Sequence, residues 1–184
     1  MHSKFNQAVN FFENGNLNES KKLCLEILKD EPKNFDILHL LGIISFKLKD
    51  YKISSDLFAK AIIINPKDAE VFNNQSLVLK KLNKLEDAIE SLNQAIKIKP
   101  DFIQAYNSRG HLLVELNQLD EALENFNKSI EINPNFAEAY NNRGNILNKL
   151  NRLTESIESY DKAISINPNF AEAYNHRGSV QKDI

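Results

Sequence analysis

The sequence predicts an all-α fold, a solenoid in which pairs of antiparallel helices stack one on the next. The segment INPNFAEAYNNRG at 132–144 returns 34 residues later as INPNFAEAYNHRG at 166–178. All five prolines keep the same period of 34: Pro32, Pro66, Pro100, Pro134 and Pro168. Apolar residues within each period recur at the three- and four-residue spacing of a helix face. A fixed period of this length indicates one supersecondary unit stacked on copies of itself.

The 184 residues divide into five full repeats and a partial one, which we predict to form a single array. The repeats are 1–34, 35–68, 69–102, 103–136, 137–170 and the partial repeat 171–184. Each full repeat predicts two helices joined by a tight turn, and the partial repeat adds one more helix. We therefore expect eleven main helices, two in each of five repeats plus one.

Helix starts are predicted at polar residues that directly follow the prolines. Such a side chain accepts a hydrogen bond from a free N–H of the first turn, and a Glu or Gln three residues later returns one. The predicted pairs are Asp101 or its neighbour with Gln104, Asn135 with Glu138, and Asn169 with Glu172.

Helix ends are predicted at residues that tolerate a left-handed backbone, with one lysine as the exception. These residues occupy equivalent positions: Gly15, Lys49, Asn83, Asn117 and Asn151. Glycine also recurs inside the first helix of four repeats, at Gly42, Gly110, Gly144 and Gly178. Each costs about 1 kcal/mol of helix propensity relative to alanine, so this placement indicates close packing against a neighbouring helix.

The pattern resembles that of tetratricopeptide repeats (TPR) over the whole chain. Besides the period, the glycines and the prolines, it rests on leucine or aromatic positions: Leu38, Phe72, Tyr106, Tyr140, Tyr174, Phe58, Phe126 and Tyr160. The resemblance implies a TPR α-solenoid, a right-handed superhelix whose concave face binds its partners. The leucine usual before the glycine is replaced in four repeats, by Gln75, Arg109, Arg143 and Arg177. An arginine can bury its stem there while its head group reaches water.

The two ends of the array differ in character. Repeat 1 places Lys4 and Gln7 where later repeats are mostly apolar, as expected of an N-terminal cap. Repeat 6 stops at Ile184 after its first helix, so we expect the chain to be part of a longer protein. A last helix that serves as its own cap is the alternative. Tyr174 and Val180 would form an apolar stripe without a partner helix, which predicts self-association through this end.

Composition narrows the class of protein. The chain is 42% hydrophobic and 26% charged, which is enough apolar material for a packed fold. Its net charge of −2, with both signs interspersed, disfavours a nucleic-acid partner. No apolar run approaches the roughly 18 residues of a membrane span, and the N-terminus lacks the apolar stretch of a signal peptide. With a single cysteine, Cys24, we expect a cytoplasmic protein without a membrane partner.

No pattern of catalysis or cofactor binding is present in the sequence. It contains no glycine-rich phosphate loop, nucleophile elbow or Cys-x-x-Cys pair, and Cys24 lies on a packed helix face as a small core residue. His39, His111 and His176 fall on first helices of three different repeats, and adjacent helices pack about 8–10 Å apart. Because zinc ligands each approach to about 2 Å, we expect no metal site, and likewise no cofactor and no enzyme activity.

The predicted concave face carries a row of short polar side chains. The candidate partner-binding residues are Asn73, Asn74, Asn107, His111, Asn141, Asn142, Asn145 and Asn175. An amide can donate to and accept from a peptide backbone whatever side chains follow, so such a row suits an extended ligand. The alternative is that asparagine reflects genome composition and a solvated helix surface. Against it, asparagine is a poor residue inside helices.

One end of the same face is apolar. Its residues in repeats 1 and 2 include Phe5, Phe12, Leu40, Ile43 and Phe46. This patch either anchors a hydrophobic side chain of the ligand or closes against a neighbouring segment or a second copy.

Two functions of different classes follow from these patterns. The first is a non-catalytic scaffold that binds an extended peptide segment of a protein in its concave groove. The second is a substrate-selecting arm of a larger enzyme. The segment ILHLLGIISF at 37–46 and the groove asparagines resemble the arms that precede glycosyltransferase or sulfotransferase domains in some bacterial proteins. Residues 1–184 alone do not discriminate between the two.

Overall fold

The computed structural model of the chain describes residues 2–182, with side chains from Lys4 onwards. Over these residues the chain forms eleven α-helices and no strand, which confirms the predicted all-α fold and its helix count. Residues 183 and 184 of the predicted partial repeat, like Met1, lie outside the described residues. Within residues 2–182, no helix has the length and apolar character needed to cross a membrane.

The chain divides into two compact units, of which unit 1 spans Met1–Pro100. Its described helices are α1 (His2–Glu13), α2 (Leu17–Asp30), α3 (Phe35–Lys47), α4 (Tyr51–Ile64), α5 (Ala69–Lys81) and α6 (Leu85–Ile98). Each helix packs against the next, and α3 also contacts α1 and α5, so first helices of adjacent repeats are neighbours. The core of unit 1 includes Cys24, Ile37, Phe58 and Val71, each at most 1% exposed.

Unit 2 spans Asp101–Ile184. Its described helices are α7 (Ile103–Glu115), α8 (Leu119–Ile132), α9 (Ala137–Lys149), α10 (Leu153–Ile166) and α11 (Ala171–Val180). Each packs against the next, and α9 also contacts α11, the first helix of the following repeat. Tyr140, Ala163 and Ala173 form a buried cluster among α9, α10 and α11. The single array over 1–184 and its right-handed superhelix stay predictions.

The turn within each full repeat is fixed by one residue with a left-handed backbone. The φ angles are 76° at Gly15, 65° at Lys49, 58° at Asn83, 58° at Asn117 and 59° at Asn151. These values confirm all five predicted helix ends. The following residue donates its N–H to a carbonyl five residues back, as Gln118 does to Leu113 O at 2.8 Å. This bond satisfies a carbonyl that the helix end would otherwise leave without a partner.

Of these five residues, only Lys49 has a side chain that disfavours the left-handed conformation. For residues other than glycine, asparagine and aspartate this conformation costs about 1–2 kcal/mol. We expect Lys49→Gly to raise the free energy of unfolding by about 0.5–1 kcal/mol, because relief of that strain exceeds the added entropy of glycine in the unfolded chain. Urea unfolding followed by circular dichroism measures the change. Gly15→Ala, the opposite substitution at the equivalent position, should be destabilising. A Lys49→Gly variant less stable than the wild type would contradict the expectation.

The predicted helix caps at Asp101, Asn135 and Asn169 are wrong. The helices of these repeats begin one residue later than predicted, and no side chain caps them. The residues at their N-cap positions are Phe102, Phe136 and Phe170. A phenyl ring has no hydrogen-bond acceptor for the first-turn N–H groups, and the polar residue before it stands one position too early.

Capping side chains do occur at the equivalent position of two earlier repeats. Asn34 Oδ1 accepts from the N–H of Ile37 at 3.1 Å, and Asp68 Oδ1 accepts from the N–H of Val71 at 3.0 Å. These two residues follow their prolines by two positions and directly precede the first residues of α3 and α5. Side-chain caps on first helices therefore occur in unit 1, whereas phenylalanine occupies the equivalent positions in unit 2.

Three of the four recurring glycines mark a close approach between the two helices of a repeat. A Cβ built on the glycine would lie 2.6 or 2.7 Å from an atom of the aromatic ring 16 residues later. The pairs are Gly42 with Phe58, Gly110 with Phe126, and Gly144 with Tyr160. Each ring is only 1% exposed, so it has little room to move. The close-packing prediction is confirmed for these three; at Gly178 no atom lies within 4 Å of the built Cβ.

Of the two residues predicted to form an exposed apolar stripe on the last helix, only one is exposed. Val180 is 1% exposed and therefore buried, whereas Tyr174 is 42% exposed. The ring of Tyr174 lies under the guanidinium of Arg177, whose carbon is 5.5 Å from the ring centroid. Because Val180 is covered, the stripe is narrower than expected. Self-association through this end stays a prediction.

Candidate functional site

The eight polar residues predicted to line a groove all lie on first helices of their repeats. Asn73 and Asn74 belong to α5 of unit 1, and the others lie on α7, α9 and α11 of unit 2: Asn107, His111, Asn141, Asn142, Asn145 and Asn175. Six of the eight therefore belong to one compact unit.

In unit 2 the polar side chains of α7 and α9 bond to one another. Asn142 Nδ2 donates to Asn107 Oδ1 at 3.1 Å and lies 3.1 Å from His111 Nε2. An amide nitrogen carries two hydrogens, so these contacts use both, and His111 Nε2 is then the acceptor. Asn142 is only 8% exposed. Its amide therefore joins two adjacent repeats rather than pointing freely into solvent.

A contact of the same kind joins α9 to α11. His176 Nδ1 lies 3.2 Å from Asn141 Oδ1, and Asn141 is 3% exposed. This contact and the Asn107–Asn142 bond both connect a residue to the one 35 positions later, which is the neighbouring position in the next repeat. We call such a 35-residue contact a rung. The polar ladder of unit 2 comprises Asn107, His111, Asn141, Asn142 and His176.

Unit 1 contains one rung with the same spacing. Asn74 Nδ2 lies 2.9 Å from His39 Nε2, again 35 residues apart. Burial lowers the pKa of His39 from its ordinary value, although the carboxylates of Asp68, Glu70 and Asp36 act in the opposite direction. The imidazole is therefore neutral near pH 7 and can accept the amide hydrogen.

Three of the predicted residues form no hydrogen bond to the ladder or to the rung of unit 1 within the described structure. Asn145 is half-buried, and its Oδ1 accepts from the hydroxyl of Tyr160 at 2.8 Å. Asn175 is exposed. The Oδ1 of Asn73 is buried and has no hydrogen-bond partner among the described residues. The structure thus brings Asn107, His111, Asn141 and Asn142 together in the ladder, and these three are not bonded to it.

A concavity of about 550 Å³ lies beside the ladder, at the starts of α9 and α11. We call it the acidic concavity; its lining includes Phe136, Glu138, Asn141, Phe170 and Glu172. Glu138 Oε1 accepts from Asn107 Nδ2 at 3.0 Å and lies 3.9 Å from His111 Nε2. None of the described residues that line it is a lysine or an arginine.

A second concavity of about 350 Å³ lies farther along the same helices. We call it the histidine concavity; its lining includes Val114, Phe126, Asn145, Ile146, Lys149 and His176. The described residues that line it include no carboxylate. Both concavities also share His111 and Asn142. One face of unit 2 therefore presents two adjacent hollows of opposite charge character.

A family model for the TPR repeat matches residues 77–115, 110–150 and 144–184, which together cover more than half of the chain. The chain belongs to the TPR repeat family. A search of curated proteins finds no match to this TPR chain.

Solved structures of TPR proteins share the fold. MamA from Desulfovibrio magneticus superposes with a TM-score of 0.83 at 18% identity, over 92% of this chain and 96% of that chain. YrrB, a TPR protein with an unusual peptide-binding site, gives a TM-score of 0.78 at 24% identity, over 95% and 90%. PilF from Pseudomonas aeruginosa gives a TM-score of 0.80 at 18% identity, over 99% of this chain and 89% of that chain. At these identities the likeness establishes the common fold.

Arginines replace the usual leucine before the glycine in the later repeats of this TPR chain. Arg143 is half-buried, with its guanidinium carbon 5.2 Å from the ring centroid of Tyr140 and its Nε donating to Ser159 Oγ at 3.0 Å. Burial lowers the pKa of Arg143 from its ordinary value. The head group, which was predicted to reach water, instead bonds to Ser159 and helps to hold α9 against α10.

The apolar residues predicted as a ligand anchor all pack against the core of unit 1. They are half-buried: Phe5, Phe12, Leu40, Ile43 and Phe46. The Nζ of Lys47 lies 5.2 Å from the Phe12 ring centroid, and the rings of Phe46 and Tyr51 are 5.6 Å apart. Each side chain thus has an intramolecular packing role, and its role as an anchor for a ligand stays a prediction.

Cys24 is a core residue, as its helix position predicts. It is 0% exposed, and burial raises the pKa of its thiol to about 11, so it is protonated near neutral pH. Among the described residues, no group of three or more His, Cys, Asp or Glu side chains is arranged to hold a metal ion. The described lining of the two concavities offers a ligand amides, imidazoles, carboxylates, aromatic rings and the ammonium group of Lys149.

Proposed function

We propose that this TPR chain is a protein-interaction scaffold that binds an extended polypeptide segment along the first-helix face of unit 2. The observation that carries the proposal is the polar ladder flanked by two concavities. Its side chains are already held by bonds between adjacent repeats, so binding immobilises few additional rotamers. A face organised in this way suits a ligand that presents its own hydrogen-bonding groups at regular intervals.

The ladder amides retain hydrogen-bonding capacity for a peptide backbone. An amide has two donor hydrogens and an oxygen with two lone pairs. Asn142 uses both hydrogens within the ladder, which leaves its oxygen for a ligand N–H. Asn141 and Asn145 use their oxygens, which leaves their Nδ2 hydrogens for ligand carbonyls. We propose that these three residues, with exposed Asn175, make the principal backbone contacts.

Binding can be tested with a dodecapeptide selected from a random phage library against the purified chain. Calorimetry should show that Asn145→Ala and Asn175→Ala each weaken binding by less than about tenfold, since a neutral hydrogen bond contributes about 0.5–1.5 kcal/mol. The double variant should weaken it further, and N-methylation of the peptide backbone should abolish it. Asn127→Ala, an exposed asparagine on the second helix α8, is the matched control. Unchanged affinity in a folded double variant would place binding elsewhere.

In this proposal the chain acts by binding and not by catalysis. Its role as the substrate-selecting arm of a glycosyltransferase or sulfotransferase stays a prediction, as do a cytoplasmic location and a bacterial source. The proposed roles of Asn73 and Asn74 in unit 1 depend on the same amide chemistry, with the His39–Asn74 rung as the local organiser.

A further inference from the structure

The acidic concavity of unit 2 holds two carboxylates and, within its described lining, no lysine or arginine. Glu138 and Glu172 occupy equivalent positions in successive repeats. The hydrogen-bond partner of Glu138 is the neutral amide of Asn107. His111 Nε2 lies 3.9 Å from Glu138 Oε1, which is longer than a hydrogen bond, and 3.1 Å from Asn142 Nδ2. Glu138 and Glu172 are exposed, so a cationic side chain of a ligand can approach them.

The other walls of the acidic concavity suit a long basic side chain and the backbone that carries it. Phe136 and Phe170 offer aromatic surface, on which the aliphatic stem of lysine or the plane of an arginine guanidinium packs well. Asn141 is 3% exposed and lines this concavity, and because its oxygen contacts His176, its Nδ2 hydrogens are available to other acceptors. A peptide carbonyl is the acceptor that an extended segment would place there.

We propose that the acidic concavity receives a lysine or arginine side chain of the bound segment, which makes the scaffold selective for basic peptides. This inference rests on the proposed function and adds a side-chain preference to it. The neighbouring histidine concavity contains Lys149 and, within its described lining, no carboxylate, so it disfavours a second cation. A basic residue thus has one favourable place on this face, which would fix the position of the segment.

The test uses three peptides, Ac-Ala-Ala-Xaa-Ala-Ala-NH2, in which Xaa is lysine, norleucine or glutamate. Norleucine keeps the aliphatic stem of lysine and lacks its charge. Nuclear magnetic resonance titration of the 15N-labelled full chain should show that the lysine peptide binds about fivefold more tightly than the norleucine peptide, as expected for a partly exposed charge pair. The glutamate peptide should bind most weakly. The shifts should centre on the starts of α9 and α11.

The double variant Glu138→Gln, Glu172→Gln should reduce the lysine peptide to the affinity of the norleucine peptide. Glutamine keeps an oxygen that can accept from Asn107, so the fold is preserved. Glu124→Gln, an exposed carboxylate on α8, is the control and should leave all three affinities unchanged. Raising the NaCl concentration should weaken only the lysine peptide.

Equal affinities of the lysine and norleucine peptides, measured from the shifts of the α9 and α11 amides, would overturn the basic preference. The scaffold function would still stand. An equal loss in Glu124→Gln would overturn it as well, because the effect would then be that of net charge. No binding by any of the three peptides would overturn this inference, while the phage-selected dodecapeptide decides separately on the proposed function.

Discussion

Gly144→Ala should lower the free energy of unfolding by about 1–3 kcal/mol, the usual cost of forcing an extra methyl group into a packed core. The added Cβ would lie 2.6 Å from Cε1 of Tyr160, whose ring is 1% exposed and cannot turn aside freely. The ring would have to shift, and with it the hydroxyl that donates to Asn145 at 2.8 Å. Urea unfolding by circular dichroism measures the stability. Titration with the dodecapeptide shows whether Asn145 moves with the ring.

The matched control is Gly178→Ala, the same substitution at the equivalent position of the next repeat. No atom lies within 4 Å of the Cβ built there, so the change should be neutral or stabilising by up to about 1 kcal/mol from helix propensity. The two substitutions thus have opposite expected signs. A Gly144→Ala variant as stable as Gly178→Ala would mean that the contact with Tyr160 relaxes without cost.

Asn142→Ala should lower the free energy of unfolding of unit 2 by about 1–3 kcal/mol, the cost of leaving buried polar groups without partners. The substitution removes both donors that reach Asn107 Oδ1 and His111 Nε2. Hydrogen exchange of the α7 and α9 amides should accelerate most, because the stability of a repeat protein is set by contacts between neighbours. Asn175→Ala, at an exposed position of α11, should change stability by less than about 0.5 kcal/mol.

A double-mutant cycle with Asn107→Ala separates the rung from other effects of Asn142. The two residues share one hydrogen bond, so the double variant should lose less stability than the sum of the single variants. Additive losses would show that the side chains act independently, and that the rung contributes nothing to the packing of α7 against α9.

The parts of the fold that local chemistry controls were predictable from the sequence. Glycine or asparagine at one position of the repeat predicted the left-handed helix ends. Lys49 occupies the same position and has a φ angle of 65°. The close approach at Gly144 followed from the recurrence of glycine inside a helix, where propensity alone disfavours it. In both cases a backbone requirement restricts the residue type strongly enough to be visible in a single chain.

The candidate site was harder to predict because its contacts run between repeats. Aligning the repeats compares residues 34 positions apart, whereas the ladder joins Asn107 to Asn142 and Asn141 to His176, 35 positions apart. The sequence therefore predicted amides that are wholly free for a ligand, whereas those of Asn141 and Asn142 are largely buried and bonded in part to neighbouring repeats. The helix caps failed for a similar reason, since a shift of one residue places Phe136 where a polar side chain was expected.

Each rung joins the first residue of a two-residue motif, such as Asn141 of Asn141-Asn142, to the second residue of the equivalent motif in the next repeat, such as His176. Copying a repeat therefore copies both residue types that a rung needs. A tandem duplication of the segment 137–170 would set Asn141 of the first copy beside the second copy's counterpart of Asn142, and the last copy would meet His176 as before. An insertion one residue longer or shorter would destroy the match. Duplication of whole units would therefore extend the polar face in register with the helices. The near-identity of 132–144 and 166–178 is the pattern that such a duplication would produce.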